Sequence, residues 1–370
     1  MDTRDWLAAC FLPGLGPQRL AKLRERAPAW PEGWLALLPP QPAAALRLWL
    51  EHPERSPLAP AVEASLAWER AAPGRAILHR DHPDFPALLG EIADPPAVLW
   101  AQGDLAALRR AGIAVVGSRR PTAEAVANAR TFARELARRG FCVTSGMALG
   151  IDAEAQRAAL DAGGASIAVL ATGIDVIYPA RHRALYQRLC HAPGGLLLAE
   201  HPPGTRAHPA FFPRRNRIVT GLALGTLVVE AAEKSGSLVS ARLALEQGRE
   251  LFALPASLNN VQARGSLQLL RTGASLARDT ADIVAELSHW DGHYAACRPD
   301  TEGRPLPEQA PPAPLAEPAD PLLAALGATP VPIDVLVAQV GLTVGECQQR
   351  LLMLELDGLA AHRPGGWARC

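Results

Sequence analysis

Four arginines, Arg206, Arg214, Arg215 and Arg217, stand between His201 and Val229 with no acidic residue among them, in a chain whose formal net charge is zero. A guanidinium fork pairs with a phosphate through two parallel hydrogen bonds, so such a run concentrates the chemistry that grips a phosphodiester backbone. Phe211 and Phe212 lie beside it and offer ring faces on which bases stack. The same rings would serve equally as core side chains, and the residues alone leave both readings open.

Three small-residue loops add to this chemistry. Gly117-Ser118-Arg119 follows the apolar run 113–116 and leads through Pro121 to Thr122, a good N-cap for a helix running to Arg139. Gly117 permits close approach of a ligand, Ser118 offers a hydroxyl, the helix start offers N–H groups, and Arg119 adds a fork. A plain glycine turn between strand and helix is the alternative. Residues 144–152 repeat the pattern, with Ser145 and Gly146 in the turn and Asp152 read as a helix cap or loop brace rather than a catalytic group. Residues 231–238 place Lys234, Ser235 and Gly236 at a third helix start. Several such loops along one crevice suit the successive phosphates of a single strand better than one nucleotide.

Loops of this kind need a scaffold that brings them together. Short apolar runs at 113–116, 141–144, 166–170, 195–199, 226–230 and 251–254 alternate with helical stretches, which predicts an α/β core, Rossmann-like, with a mostly parallel sheet covered by helices. Neighbouring strand ends then share one crevice. Gly14-Leu15-Gly16 has no strand before it, so a dinucleotide fingerprint is not supported. Four segments are expected: a small helical domain over 1–75, the sheet domain over 76–290, a Pro/Ala-rich linker over 291–320 and a winged helix over 321–370.

Several classes are excluded or disfavoured. With 49% hydrophobic and 20% charged residues the composition is that of a globular protein, and neutrality overall means that any nucleic-acid site must be a local cluster. Only Lys22 and Lys234 are lysines among 37 basic residues, which reads first as genomic bias toward arginine. The six cysteines show no CxxC pair and no Cys/His ligand spacing, so a reducing, cytoplasmic setting and no metal or cofactor are expected. The N-terminus has no apolar signal core, and no apolar run approaches the ~20 residues of a membrane span.

Taken in order, Gly117-Ser118-Arg119, the run 145–152, Glu200 with Pro203-Gly204, Phe212-Pro213 with Arg215-Asn216-Arg217-Ile218, Glu230-Ala231, Ser235-Gly236-Ser237-Leu238, and Arg264-Gly265 with Gly273-Ala274 resemble the DNA-processing protein A (DprA/Smf) family across the whole central domain. The resemblance implies a non-enzymatic single-stranded-DNA-binding protein that forms a homodimer and loads RecA recombinase during natural transformation. It carries DNA contact onto Gly117, Ser118, Arg119, Ser145, Gly146, Arg214, Asn216, Arg217, Lys234, Ser235 and Gly236. One departure is Leu254-Pro255-Ala256, where the family pattern leads one to expect a Pro-Gly turn.

The flanks say less. Residues 12–19 resemble a helix-hairpin-helix turn that could expose backbone N–H groups to a DNA phosphate, and a simple helical packing unit is the equal alternative. In 321–370, Arg350, Arg363 and Arg369 face Asp334, Glu346, Glu355 and Asp357, a balance that should grip duplex DNA poorly and favours contact with protein or with the core. Rival functions are a phosphoribohydrolase of nucleoside monophosphates of the LOG type, whose PGGxGT turn is missing here, and a regulator that acts through the winged helix alone with the core as its sensor.

Overall fold

The computed structural model describes residues 1–26, 29–290, 321–327, 330–356, 359–363 and 365–369, and the expected linker lies outside them. The chain divides into two compact units, Met1–Asp300 and Thr301–Cys370. In the first, helices α1 (Thr3–Cys10), α2 (Pro17–Arg26), α3 (Glu32–Leu37), α4 (Pro40–Glu51) and α5 (Ala59–Arg70) precede the sheet. Its strands are β1 (Arg75–His79), β2 (Val98–Gly103), β3 (Gly112–Val116), β4 (Cys142–Ser145), β5 (Ala165–Gly173), β6 (Gly195–His201), β7 (Gly225–Val228), β8 (Glu250–Ala253) and β9 (Ser275–Leu276). The connecting helices are α6 (Ala87–Gly90), α7 (Ala123–Arg138), α8 (Ile151–Asp161), α9 (Arg183–His191), α10 (Phe211–Gly221), α11 (Ser237–Glu246), α12 (Arg264–Arg271) and α13 (Thr280–Glu286).

Strand order is β1-β2-β6-β5-β4-β3-β7-β8-β9, parallel from β6 to β9, with β2 antiparallel to both β1 and β6. The expected apolar runs became β3 to β8 because strands covered on both faces must be apolar throughout, and β3, β4, β5 and β7 are buried at every position. β1 and β2 were not foreseen.

Direction reverses at β3: the chain steps outward through β4, β5 and β6 on one side and through β7, β8 and β9 on the other. An open α/β sheet leaves a crevice at such a point, outside the carboxyl ends of the strands. That edge carries the loops after β3, β4 and β7.

The N-terminal helices do not form a core of their own. Trp6, Leu7, Trp34, Leu46 and Trp49 belong to one apolar cluster with Val98 and Trp100 of β2 and Leu197 and Ala199 of β6. The change near residue 75 is thus one of secondary structure, with no break in packing. The indole of Trp6 stacks on His79 at 5.9 Å and donates from Nε1 to Asp81 Oδ2 at 2.8 Å, which fixes α1 at the end of β1.

The second unit has helices Pro321–Ala325, Ile333–Val340 and Val344–Leu356, then a hairpin of Ala360–Arg363 and Gly366–Arg369, the predicted winged helix. Thr343 and Glu346 form a reciprocal capping box: Thr343 N donates to Glu346 Oε2 at 2.9 Å, and Glu346 N to Thr343 Oγ1 at 3.3 Å. No helix among the described residues is long and apolar enough to cross a membrane.

Candidate nucleic-acid interface

At the reversal point a crevice of about 520 Å³ opens over the ends of β3, β4 and β7. Of the residues expected to bind, it brings together Gly117, Ser118, Arg119, Gly146, Asn216, Lys234, Ser235 and Gly236. Ser145, Arg214 and Arg217 do not line it.

Each loop is shaped by close backbone approach. A Cβ on Gly117 would meet Ile151 Cγ1 at 2.7 Å, so only glycine lets β3 turn against α8. Ser118 N donates to Glu230 O at 2.7 Å and ties the β3 loop to the end of β7. After β4 the chain passes through Met147, at φ 52° the only non-glycine residue with positive φ among the described residues. The strain is held by burial of its side chain and by His182, whose Nδ1 donates to Met147 O at 3.0 Å. Gly265, at the start of α12, would place a Cβ 2.6 Å from Ala232 O, which explains a glycine where that helix presses on the third loop. Ala256 has no positive φ, so the missing glycine after Pro255 costs the backbone nothing.

The cations that face the mouth are unspent. Arg119, Arg120 and Lys234 are exposed and make no ion pair among the described residues. The Arg119 guanidinium lies over the ring of Phe212 at 5.6 Å, and Phe212 meets Tyr178 at 5.3 Å. Phe212 is therefore a wall of the crevice. Phe211 packs on His201 at 4.0 Å and stands outside the lining.

The start of α7 is less open to an anion than its sequence promised. Glu230, 2% exposed, accepts from Thr122 N at 3.2 Å and from Thr122 Oγ1 at 2.7 Å, so a carboxylate of the protein already uses part of that helix dipole. Thr122 does cap the helix, accepting from Ala125 N at 3.1 Å.

Two arginines of the run turn inward. Arg217, 4% exposed, donates from Nη2 and Nη1 to Glu200 at 2.6 and 3.0 Å and from Nε to Asp94 Oδ2 at 2.8 Å. Buried, with its fork engaged by two carboxylates, it is turned away from the crevice, against the expectation of a DNA contact. Arg214 is half exposed beside Glu200, with 3.9 Å between Nε and Oε2. Ser145 is fully buried and donates to Val115 O at 2.6 Å, so its hydroxyl braces β4 against β3 instead of facing a ligand.

Arg215 is the residue that the sequence reading passed over. Buried beneath the β4 loop, it donates from Nη1 to Gly146 O at 2.7 Å and to Val169 O. A Cβ on Gly146 would run into its guanidinium, so Gly146 is small because Arg215 lies under it. Burial lowers the pKa of Arg215 to about 10, and nearby Asp152 opposes the shift. Asp152 accepts from Gly146 N at 3.1 Å; burial raises its pKa, while Arg215 and the loop amides hold it down. A brace role for Asp152 fits these contacts. The spacing of Arg215 within the run gave no signal of its inward turn.

Among the described residues no group of three His, Cys, Asp or Glu side chains could hold a metal ion. Cys10, Cys142, Cys190 and Cys347 carry free thiols.

The family model for DNA recombination-mediator protein A matches residues 76–288, and that for the DprA winged helix domain matches residues 306–366. Protein Smf of Escherichia coli is 40% identical over 317 residues, covering 83% of this chain and 80% of that protein. DNA processing protein DprA of Bacillus subtilis is 42% identical over 211 residues, 57% of this chain and 70% of that one. The X-ray structure of DNA processing protein A from Streptococcus pneumoniae superposes with a TM-score of 0.67 at 29% identity, covering 77% of this chain and 98% of that one. A structure of DNA processing protein A from Helicobacter pylori, reported for its single-stranded DNA binding mode, gives 0.51 at 33% identity, with 58% and 95% covered.

Proposed function

We propose, because this chain belongs to the DNA recombination-mediator protein A family, that its crevice receives single-stranded DNA and that the protein acts without catalysing a reaction. Its role lies in DNA processing for recombination. The observation that carries the reading is the set of three unpaired cations, Arg119, Arg120 and Lys234, around a crevice walled by Phe212 in a protein of zero net charge. Phosphates pair with the cations, and a base has the Phe212 ring on which to stack. Because every base has a π-face, binding is indifferent to sequence.

A salt-titrated gel shift with single-stranded and duplex oligonucleotides tests this. Arg119→Ala should weaken strand binding whatever the base sequence and flatten the plot of log affinity against log salt by about 0.7 units, one single-strand phosphate contact. An unchanged slope counts against Arg119. Preference for duplex over single strands would instead favour the regulator reading.

The phosphoribohydrolase alternative finds little support. The PGGxGT turn is missing, and Asp152, the carboxylate among the residues that line this crevice, braces the β4 loop. Glu230 is committed to Thr122. Free base released from nucleotides by the purified protein would revive that reading.

Delivery of the bound strand to RecA recombinase in natural transformation is the fuller role we propose, supported by the recombination-mediator family. Faster RecA assembly on single strands in the presence of this protein is the expected readout. Exposed Leu258, Val261 and Leu276 at the β9 end of the sheet support association as a homodimer. For the winged helix, whose charge balance is slightly acidic, a 321–370 fragment should show no micromolar affinity for duplex DNA at physiological salt.

A further inference from the structure

The α1–α2 hairpin is a feature that the crevice does not absorb. β1 runs parallel to β6, since both are antiparallel to β2, so the end of β1 lies on the same sheet edge as the crevice. The hairpin is pinned there: Arg24 Nη2 donates to Asp81 Oδ1 at 2.5 Å, Trp6 donates to the other oxygen, and Phe11 packs on Trp100 at 6.3 Å. Four strand spacings separate β1 from β4, roughly 19 Å.

Between hairpin and crevice stands Arg214. Its Nε lies 3.9 Å from Oε2 of Glu200 at the end of β6, the strand midway between β1 and β4 in the sheet. Arg214 is half exposed at the start of α10, the helix that also supplies Phe212 and Asn216 to the crevice.

On α2, Leu20 and Leu23 are buried while Arg19, Lys22 and Arg26 are exposed. Positions i, i+3 and i+7 fall on one helix face. None of the three makes an ion pair among the described residues, in contrast to Arg24, which is spent on Asp81. Arg19 Nη1 donates to Gly14 O at 3.0 Å and so stays at the turn, where Gly14 and Gly16 have open space beside the backbone.

We infer that Arg19, Lys22 and Arg26, with Arg214 as the stepping stone, form a basic track along which the single strand continues after it leaves the crevice. The inference rests on the crevice reading, and it commits to the sugar-phosphate backbone of the same strand. Charge complementarity and continuity with the crevice along one sheet edge carry it. The hairpin thereby lengthens the site without adding base selectivity.

Two strand lengths separate the possibilities in the full-length protein: about 6 nucleotides, enough for the crevice, and about 20, enough to reach α2. The triple variant Arg19→Ala, Lys22→Ala, Arg26→Ala should bind the short strand like the parent, which also reports that it is folded. On the long strand its salt slope should fall by about 2 units, three contacts at about 0.7 each. Arg214→Ala should lose part of the slope on the long strand only. If the triple variant matches the parent on both lengths while Arg119→Ala weakens both, the track is wrong and the crevice stands. If Arg119→Ala binds both lengths like the parent, the crevice reading falls and this inference with it.

Discussion

An Arg217→Ala protein will be destabilised by about 3 kcal/mol or more, seen as a lower urea midpoint with an unchanged slope of the transition. The guanidinium holds Glu200 and Asp94 through three hydrogen bonds, and its removal leaves Asp94 without that cation and Glu200 with only the half-exposed Arg214, 3.9 Å away. The cost comes mostly from those stranded charges, because breaking a buried pair exceeds in cost what forming it gained. Arg217→Lys should recover little, since an ammonium cannot bridge two carboxylates as a fork does. Under conditions where either variant remains folded, the salt slope of strand binding should equal that of the parent. A slope lower by about 0.7 units would reinstate Arg217 as a phosphate contact.

Arg215→Met should cost a comparable amount, about 3–5 kcal/mol, and that cost should depend on pH. Two carbonyls, of Gly146 and Val169, lose their donor, and Asp152 loses the cation that chiefly opposes its desolvation. The Asp152 pKa, already raised by burial, must then climb further. The sign follows from linkage: a carboxyl whose folded pKa lies above its unfolded value of about 3.9 penalises the folded state only when ionised. The deficit is therefore full above the folded pKa, shrinks as pH falls through it, and the Asp152 part is gone below about 3.9. The gap between the urea midpoints of parent and variant should narrow as pH falls toward about 4. A constant gap would mean that Asp152 is not the group left stranded. Strand binding by the variant should suffer as well, because Arg215 supports the Gly146 loop at the base of the crevice.

These two residues also show where reading the sequence ends. The parallel sheet was legible because strands covered on both faces must be apolar throughout, and the loops were legible because a glycine, a hydroxyl and a helix start recur after successive strands. Those loops put Gly117, Ser118, Arg119, Ser145, Gly146, Lys234, Ser235 and Gly236 in one crevice, and all but Ser145 line it. β1 and β2 gave no such signal because they pair antiparallel with each other amid Pro- and Gly-rich loops, and the other partner of β2, β6, lies far along the chain.

Sequence by itself determined the element types, the loop chemistry and a local excess of positive charge. Which arginine of the run faces out was decided only by tertiary structure. Consecutive positions on α10 turn by about 100°, so Arg215 points away from Arg214 and Arg217, which share the side that meets Glu200, and each direction has meaning only through what packs there. For Arg217 that is Asp94, 123 residues away, and for Arg215 it is the loop after β4, 69 residues away. Charge is a property of the residue; whether it is spent inside or offered to a ligand depends on neighbours that the local sequence does not contain.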